Sequence, residues 1–118
     1  MEYKKSFVTV VVFTLAFIGF AYAANNLIVG TVRPDAVLLF QQTYNQTGIP
    51  GQIVNNTYSF SNPFRNITLF RAYDFALNNT GGFASILYGG VGYRNVTYNF
   101  RASAVGRGYV FVLDIYGV

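Results

Sequence analysis

Few side chains in this chain of 118 residues are suited to chemistry. It contains no cysteine and no histidine, which excludes disulfides, thiolate zinc sites, cysteine nucleophiles and imidazole bases. After residue 23 it also lacks lysine and glutamate, so the fixed side-chain charges there are six arginines and three aspartates. Most enzyme mechanisms need acid–base groups that this composition does not supply.

The aspartates Asp35, Asp74 and Asp114 are the remaining candidates for acid–base or metal chemistry. Their spacing matches no D-x-D calcium loop, and a glycosidase needs two carboxylates that face each other across a cleft. Asp114 interrupts an apolar run, and pairing with an arginine would explain its position. We therefore predict that the protein is not an enzyme and has no catalytic residue, no metal site and no cofactor.

Two motifs partly match nucleotide-binding or RNA-binding signatures. Gly90-Val91-Gly92 begins like a dinucleotide-binding loop, but Asn95 stands at the position of the last glycine and no helical pattern follows. The run from Arg107 to Asp114 partly matches the aromatic strand of an RNA-recognition motif, and a buried strand explains it better. Since the arginines lie at least six residues apart, we expect no direct nucleic-acid binding.

Asparagine sequons are more frequent than the composition predicts. Five N-x-[ST] sequons occur where about one is expected by chance. They begin at Asn45, Asn55, Asn66, Asn78 and Asn95. An N-glycosylated secretory protein explains the excess, and accidental matches in a chain rich in asparagine and threonine are the alternative.

The first 23 residues have the pattern of a secretory signal peptide. Lys4 and Lys5 precede an uncharged stretch that ends in Ala21-Tyr22-Ala23, which predicts cleavage between Ala23 and Ala24. An uncleaved membrane anchor is the alternative, and in both cases the domain of residues 24–118 lies outside the cell. We expect a secreted, extracellular domain that has no membrane association after cleavage.

The mature chain has the hydrophobic pattern of an all-β domain. Apolar residues alternate or come in short runs between glycine, asparagine and proline, and we find neither heptads nor an internal repeat. We predict seven strands, at residues 26–32, 36–43, 53–60, 67–74, 83–88, 95–101 and 108–116. Seven short strands joined by turns predict a single antiparallel β-sandwich or small barrel, and an α+β fold is less favoured.

Two of these strands have informative patterns. Val96, Tyr98 and Phe100 alternate with polar residues, which predicts a strand buried on one face. The last strand is apolar on both faces and should lie in the middle of a sheet.

Tyr88, Tyr93 and Arg94 flank the glycine turn at 89–92 and form our candidate contact patch, although core packing is the more frequent role of a tyrosine.

Several motifs resemble the multiprotein bridging factor 2 family of insect proteins. The most specific are Thr80-Gly81-Gly82-Phe83-Ala84-Ser85, Gly89-Gly90-Val91-Gly92-Tyr93, Gly106-Arg107-Gly108 and Ile115-Tyr116-Gly117. Leu27-Ile28-Val29-Gly30, Ile49-Pro50 and Ile67-Thr68 fit more loosely, so the resemblance covers essentially the whole mature chain. Departures from the family pattern are Val118, where relatives often end in a basic residue, and Phe83, where tyrosine is common.

The resemblance implies two different functions. The family name implies a transcription co-activator that bridges transcription factors, whereas many relatives are secreted salivary or venom peptides. Neither implication supplies catalytic residues. The leader and the sequons favour a secreted domain that recognises an unknown protein or glycan partner, with co-activation as the alternative. A membrane-perturbing peptide is disfavoured because the mature chain lacks a cationic amphipathic helix.

Overall fold

The computed structural model describes residues 25–75 and 81–118. The predicted signal peptide, its cleavage site at Ala23 and Ala24, and the sequon at Asn78 lie outside the described residues. Within the described ranges there is no helix of the length and hydropathy needed to cross a bilayer.

All seven predicted strands are present, with ends that differ from the prediction by at most three residues. They are β1 (Leu27–Gly30), β2 (Val37–Gln46), β3 (Asn55–Ser61), β4 (Ile67–Asp74), β5 (Gly82–Gly89), β6 (Asn95–Ala102) and β7 (Tyr109–Gly117). The bounds of β4 are those predicted from its apolar run.

The strands form two antiparallel sheets that pack face to face. The larger sheet has the order β1-β4-β7-β2 and the smaller sheet has the order β3-β6-β5. The fold is therefore a β-sandwich and not a closed barrel. The central position predicted for the last strand is confirmed, because β7 lies between β4 and β2.

The core lies between the two sheets and is dominated by aromatic rings. Phe100 of β6 stacks on Phe111 of β7 with a centroid distance of 4.5 Å and an interplanar angle of 10°. The alternation predicted for β6 is confirmed, since Val96, Tyr98 and Phe100 are buried while the residues between them are half-buried or exposed. The stacked pair fixes the position of one sheet on the other.

Buried tyrosines keep their hydroxyl groups hydrogen-bonded, as the low polarity of the core requires. The Tyr44 and Tyr98 hydroxyl oxygens are 2.6 Å apart, and Asn56 Nδ2 donates to the Tyr109 hydroxyl oxygen at 2.7 Å. Burial raises the pKa of Tyr98 and raises the pKa of Tyr109 to about 12. These hydroxyls are therefore protonated at neutral pH.

One lateral side of the sandwich is formed by two edge strands. β2 ends the larger sheet and β3 ends the smaller sheet. The two strands lie next to each other, because the rings of Tyr44 and Tyr58 are 4.5 Å apart and those of Phe40 and Phe60 are 5.2 Å apart.

Three connections meet at one end of the sandwich, which we call the loop end. They are residues 31–36 between β1 and β2, 62–66 between β3 and β4, and 90–94 between β5 and β6. Backbone hydrogen bonds place them side by side, since Thr31 donates to the Thr68 carbonyl at 3.1 Å and Ile67 donates to the Tyr93 carbonyl at 2.8 Å.

Candidate recognition surface

The connection 62–66 is held in shape by an asparagine. The Asn62 side-chain oxygen accepts hydrogen bonds from the backbone N–H groups of Phe64 and Arg65, each at 2.9 Å. These bonds give partners to two backbone N–H groups that are not paired with a neighbouring strand. The turn leaves Phe64 85% exposed. A large apolar side chain with so much exposed area is a candidate contact residue.

The neighbouring turn depends on glycine. Gly90 and Gly92 have φ angles of 104° and 91°, in the left-handed region that glycine adopts without strain. Tyr93 donates its backbone N–H to the Gly90 carbonyl at 2.9 Å, which closes the turn. The Tyr93 side chain is 61% exposed, and Arg94 is exposed beside it.

Hydrogen bonds join these two connections into one unit. The backbone N–H of Asn62 donates to the Arg94 carbonyl at 2.8 Å. The Arg94 guanidinium in turn donates through Nη1 to the Pro63 carbonyl at 3.2 Å. Together with the bond from Ile67 to Tyr93, these contacts hold Phe64 and Tyr93 on adjacent, ordered segments.

The two segments have the same residue pattern of aromatic, arginine, asparagine, aliphatic and threonine. They are Phe64-Arg65-Asn66-Ile67-Thr68 and Tyr93-Arg94-Asn95-Val96-Thr97, which we call the twin motif. The two copies are only five residues long and lie far apart in the sequence, so they are a repeated short motif and not an internal repeat of a structural unit.

The third connection adds another apolar residue followed by an arginine. Val32 is 77% exposed, and Arg33 forms a bidentate pair with Asp35 at 2.9 and 2.7 Å. The hydrogen bond from Arg33 holds the pKa of Asp35 below its usual value. We define the tip surface by the exposed side chains of the loop end: Val32, Phe64, Arg65, Val91, Tyr93 and Arg94.

The structure brings together only part of the patch expected from sequence. Tyr93 and Arg94 lie in the tip surface, next to the segment of Phe64. Tyr88 is 74% exposed but lies on the outer face of the smaller sheet, where it pairs with Thr97 and lines a shallow depression with Ser59. Sequence reasoning missed Phe64, although Asn62-Pro63 is typical of a turn and turns lie at the surface.

All four sequon asparagines within the described residues are exposed. They are Asn45, Asn55, Asn66 and Asn95. Asn45 and Asn55 lie on the edge strands β2 and β3, and the Asn55 side-chain oxygen accepts a hydrogen bond from Asn99. Asn66 and Asn95 each follow the arginine of a twin-motif segment, so these two sequons lie beside the tip surface.

The aspartates are engaged in separate parts of the sandwich. The Asp114 carboxylate accepts from Gln41 Nε2 at 2.7 Å and pairs with Arg71 Nη2 at 3.2 Å, which confirms the expected arginine partner. Asp74 lies on the opposite face of the same sheet, where it accepts a hydrogen bond from the backbone of Asn25 at 3.3 Å. Asp74 and Asp114 therefore lie on opposite faces of the larger sheet and do not face each other across a cleft.

The Arg71 guanidinium also borders a cavity of about 160 Å³ on the outer face of the larger sheet. It lies 5.2 Å from the ring centre of Tyr116 and 5.6 Å from that of Tyr73, and its buried Nε has no hydrogen-bond partner. The other arginine at this cavity is Arg33. Because Asp114 and Asp35 neutralise the two arginines, this cavity offers no excess charge to a ligand.

Comparisons with known proteins agree on the relatives of this chain. A family model described as "Transcription activator MBF2" matches residues 29–117. A protein of Bombus ignitus named "Probable salivary secreted peptide" is 35% identical over 102 residues, which cover 80% of this chain and 75% of that protein. No solved structure matches this chain. The family model covers six of the seven strands in full and half of β1, so the chain belongs to the MBF2 family.

Proposed function

We propose that this protein is exported, N-glycosylated and acts outside the cell as a non-enzymatic recognition domain for a protein or glycan partner. The observation on which this proposal rests is the tip surface, where ordered loops on a rigid sandwich expose apolar and arginine side chains. Binding residues are often placed on loops that a rigid scaffold positions. The absence of cysteine and histidine from the sequence, and the pairing of Asp35 and Asp114 with arginines, are consistent with binding rather than catalysis.

Export is supported by three independent observations. The first 23 residues have the charge and hydrophobic pattern of a cleaved leader. The sequon asparagines of the described residues are exposed, as glycan attachment requires. The relative from Bombus ignitus carries the word "secreted" in its name.

The family description favours a second function, that of a transcription activator. A co-activator would have to stay inside the cell, where a cleaved leader and N-glycans have no use. The two functions therefore differ in the location and the covalent state of the protein.

Expression of the full-length chain in insect cells distinguishes them. We expect the protein in the medium, with a mature N-terminus at Ala24 and an increased gel mobility after treatment with a glycosidase that removes N-glycans. A matched control, in which the five sequon asparagines are replaced by glutamine, should show no mobility change. Intact protein that begins at Met1 and accumulates in nuclei would instead support the co-activator.

A further inference from the structure

The charge of the tip surface restricts the chemistry of its partner. The loop end contains three arginines, and its only side-chain carboxylate among the described residues is Asp35, which is already paired with Arg33. Arg65 and Arg94 are exposed and form no ion pair with a described residue. Two guanidinium groups of adjacent segments thus remain available for anionic groups, and arginine prefers planar, bidentate acceptors such as carboxylates.

The apolar part of the tip surface restricts the partner further. Phe64, Tyr93 and Val32 are 85%, 61% and 77% exposed, and Val91 beside Gly30 is 39% exposed. A sugar chain can stack the C–H faces of its rings on the two aromatic side chains, but it has no apolar group of its own to cover the valine side chains of Val32 and Val91. Aromatic residues and arginine are, by contrast, the types that are enriched in protein–protein interfaces and that dominate their binding energy.

The tip surface is also pre-organised for binding. Asn62 fixes the Phe64 segment, glycine fixes the Tyr93 turn, and Arg94 bonds the two together through the Pro63 carbonyl. Loops that are ordered before binding lose little conformational entropy when a partner docks. A partner that reached both copies of the twin motif would engage two aromatic–arginine pairs at once.

We propose that the tip surface binds an acidic protein segment, in which carboxylates pair with Arg65 and Arg94 and apolar side chains cover Phe64 and Tyr93. This inference rests on the proposed recognition function and specifies its partner class. It does not depend on export, because the side chains of the tip surface belong to the same fold in either location, and the variant in which the five sequon asparagines are replaced by glutamine removes any effect of glycans at Asn66 and Asn95.

The test is a selection with defined variants. A random-peptide phage library is selected on the immobilised, purified full-length product, and peptides from enriched clones are measured by fluorescence anisotropy. We expect enriched peptides to combine Asp or Glu with apolar residues. Their affinity should fall at least about tenfold in Arg65→Gln, in Arg94→Gln and in Phe64→Ser, since these are central contacts.

Matched controls lie on the outer face of the smaller sheet. Arg101→Gln removes the same charge and Phe83→Ser removes a similar exposed ring, and both residues are far from the loop end in the fold. We expect the controls to leave affinity unchanged, and circular dichroism should show that all variants are folded. Enriched peptides without acidic residues, or equal losses in tip and control variants, would overturn the proposal.

A competing ligand class is tested with the same proteins. One result would overturn the proposal of an acidic protein segment and identify an anionic glycan as the partner. In that result the wild type is retained on heparin–agarose, and retention is lost in Arg65→Gln and Arg94→Gln but kept in Phe64→Ser. Absence of the protein from the medium, by contrast, would refute export while the peptide selection still reports on the tip surface.

Discussion

Replacement of Phe100 by alanine should be among the most destabilising single changes in this protein. The Phe100 ring is fully buried and lies between the two sheets. Its centroid is 4.5 Å from that of Phe111, 5.1 Å from that of Tyr44 and 5.5 Å from that of Tyr98. The change therefore removes contacts within the smaller sheet and contacts that join it to the larger one.

The expected loss in the free energy of unfolding follows from this geometry. Truncation of a buried phenylalanine to alanine costs ~3–5 kcal/mol, because the transfer energy of the ring is lost and a cavity remains. The ring packs against several other aromatic rings, and such pairs add ~0.5–1.5 kcal/mol beyond their buried area. We therefore expect a loss near the upper end, about 4–5 kcal/mol, from a total stability of about 5–15 kcal/mol.

Equilibrium unfolding in urea, followed by circular dichroism, measures this loss. The control is Phe83→Ala, which truncates a ring that is 46% exposed on the outer face of the same sheet and should cost less than about 1 kcal/mol. A loss below about 2 kcal/mol for Phe100→Ala, or a loss equal to that of the control, would refute the assignment of this ring to the centre of the core.

Three further changes test other parts of the structure. Asp114→Ala should lower the free energy of unfolding by about 2–3 kcal/mol, because it leaves the partly buried Arg71 without its ion-pair partner, and thermal denaturation should show a smaller loss for Asp114→Asn. Folding raises the pKa of Tyr98 and Tyr109 above the value near 10 that a tyrosine has in the unfolded chain. The contribution of the two protonated hydroxyl groups to stability is therefore complete below pH 10 and is lost as the pH rises toward and beyond about 12. The midpoint of urea unfolding should therefore fall in this alkaline range, and it should fall less in Tyr109→Phe. Single Asn→Gln changes at Asn45, Asn55, Asn66 and Asn95 should each remove one glycan and so make the insect-cell product migrate slightly faster on a gel. A sequon whose replacement leaves the mobility unchanged carries no glycan.

The sequence predicts most of the fold because the strands are encoded locally. The alternation of Val96, Tyr98 and Phe100 and the apolar run of β7 are visible in single windows, and both were confirmed. Strand ends were less accurate: β2 continues to Gln46 because its polar residues still pair with β7. Pairing with a neighbouring strand can extend an element beyond its own hydrophobic pattern.

The tip surface was less predictable because it depends on contacts between distant segments. Tyr93 and Arg94 were named from their glycine turn, but nothing local shows that residues 62–66 lie beside them. The same is true of Arg71 and Asp114, which are 43 positions apart and meet only because β4 pairs with β7. Which distant segments meet is decided by the strand order within each sheet. That order cannot be deduced from any short stretch of the sequence.

The side formed by β2 and β3 has a consequence for how this protein is produced. From Ala36 to Phe64 the chain has no charged residue, so both edge strands lack the lysines that commonly prevent strands of different molecules from pairing. The sequons at Asn45 and Asn55 lie on these same strands, and bulky sugars there would keep two molecules apart. We expect material from bacteria, which lacks such sugars, to precipitate on concentration, whereas the insect-cell product stays dispersed in light scattering.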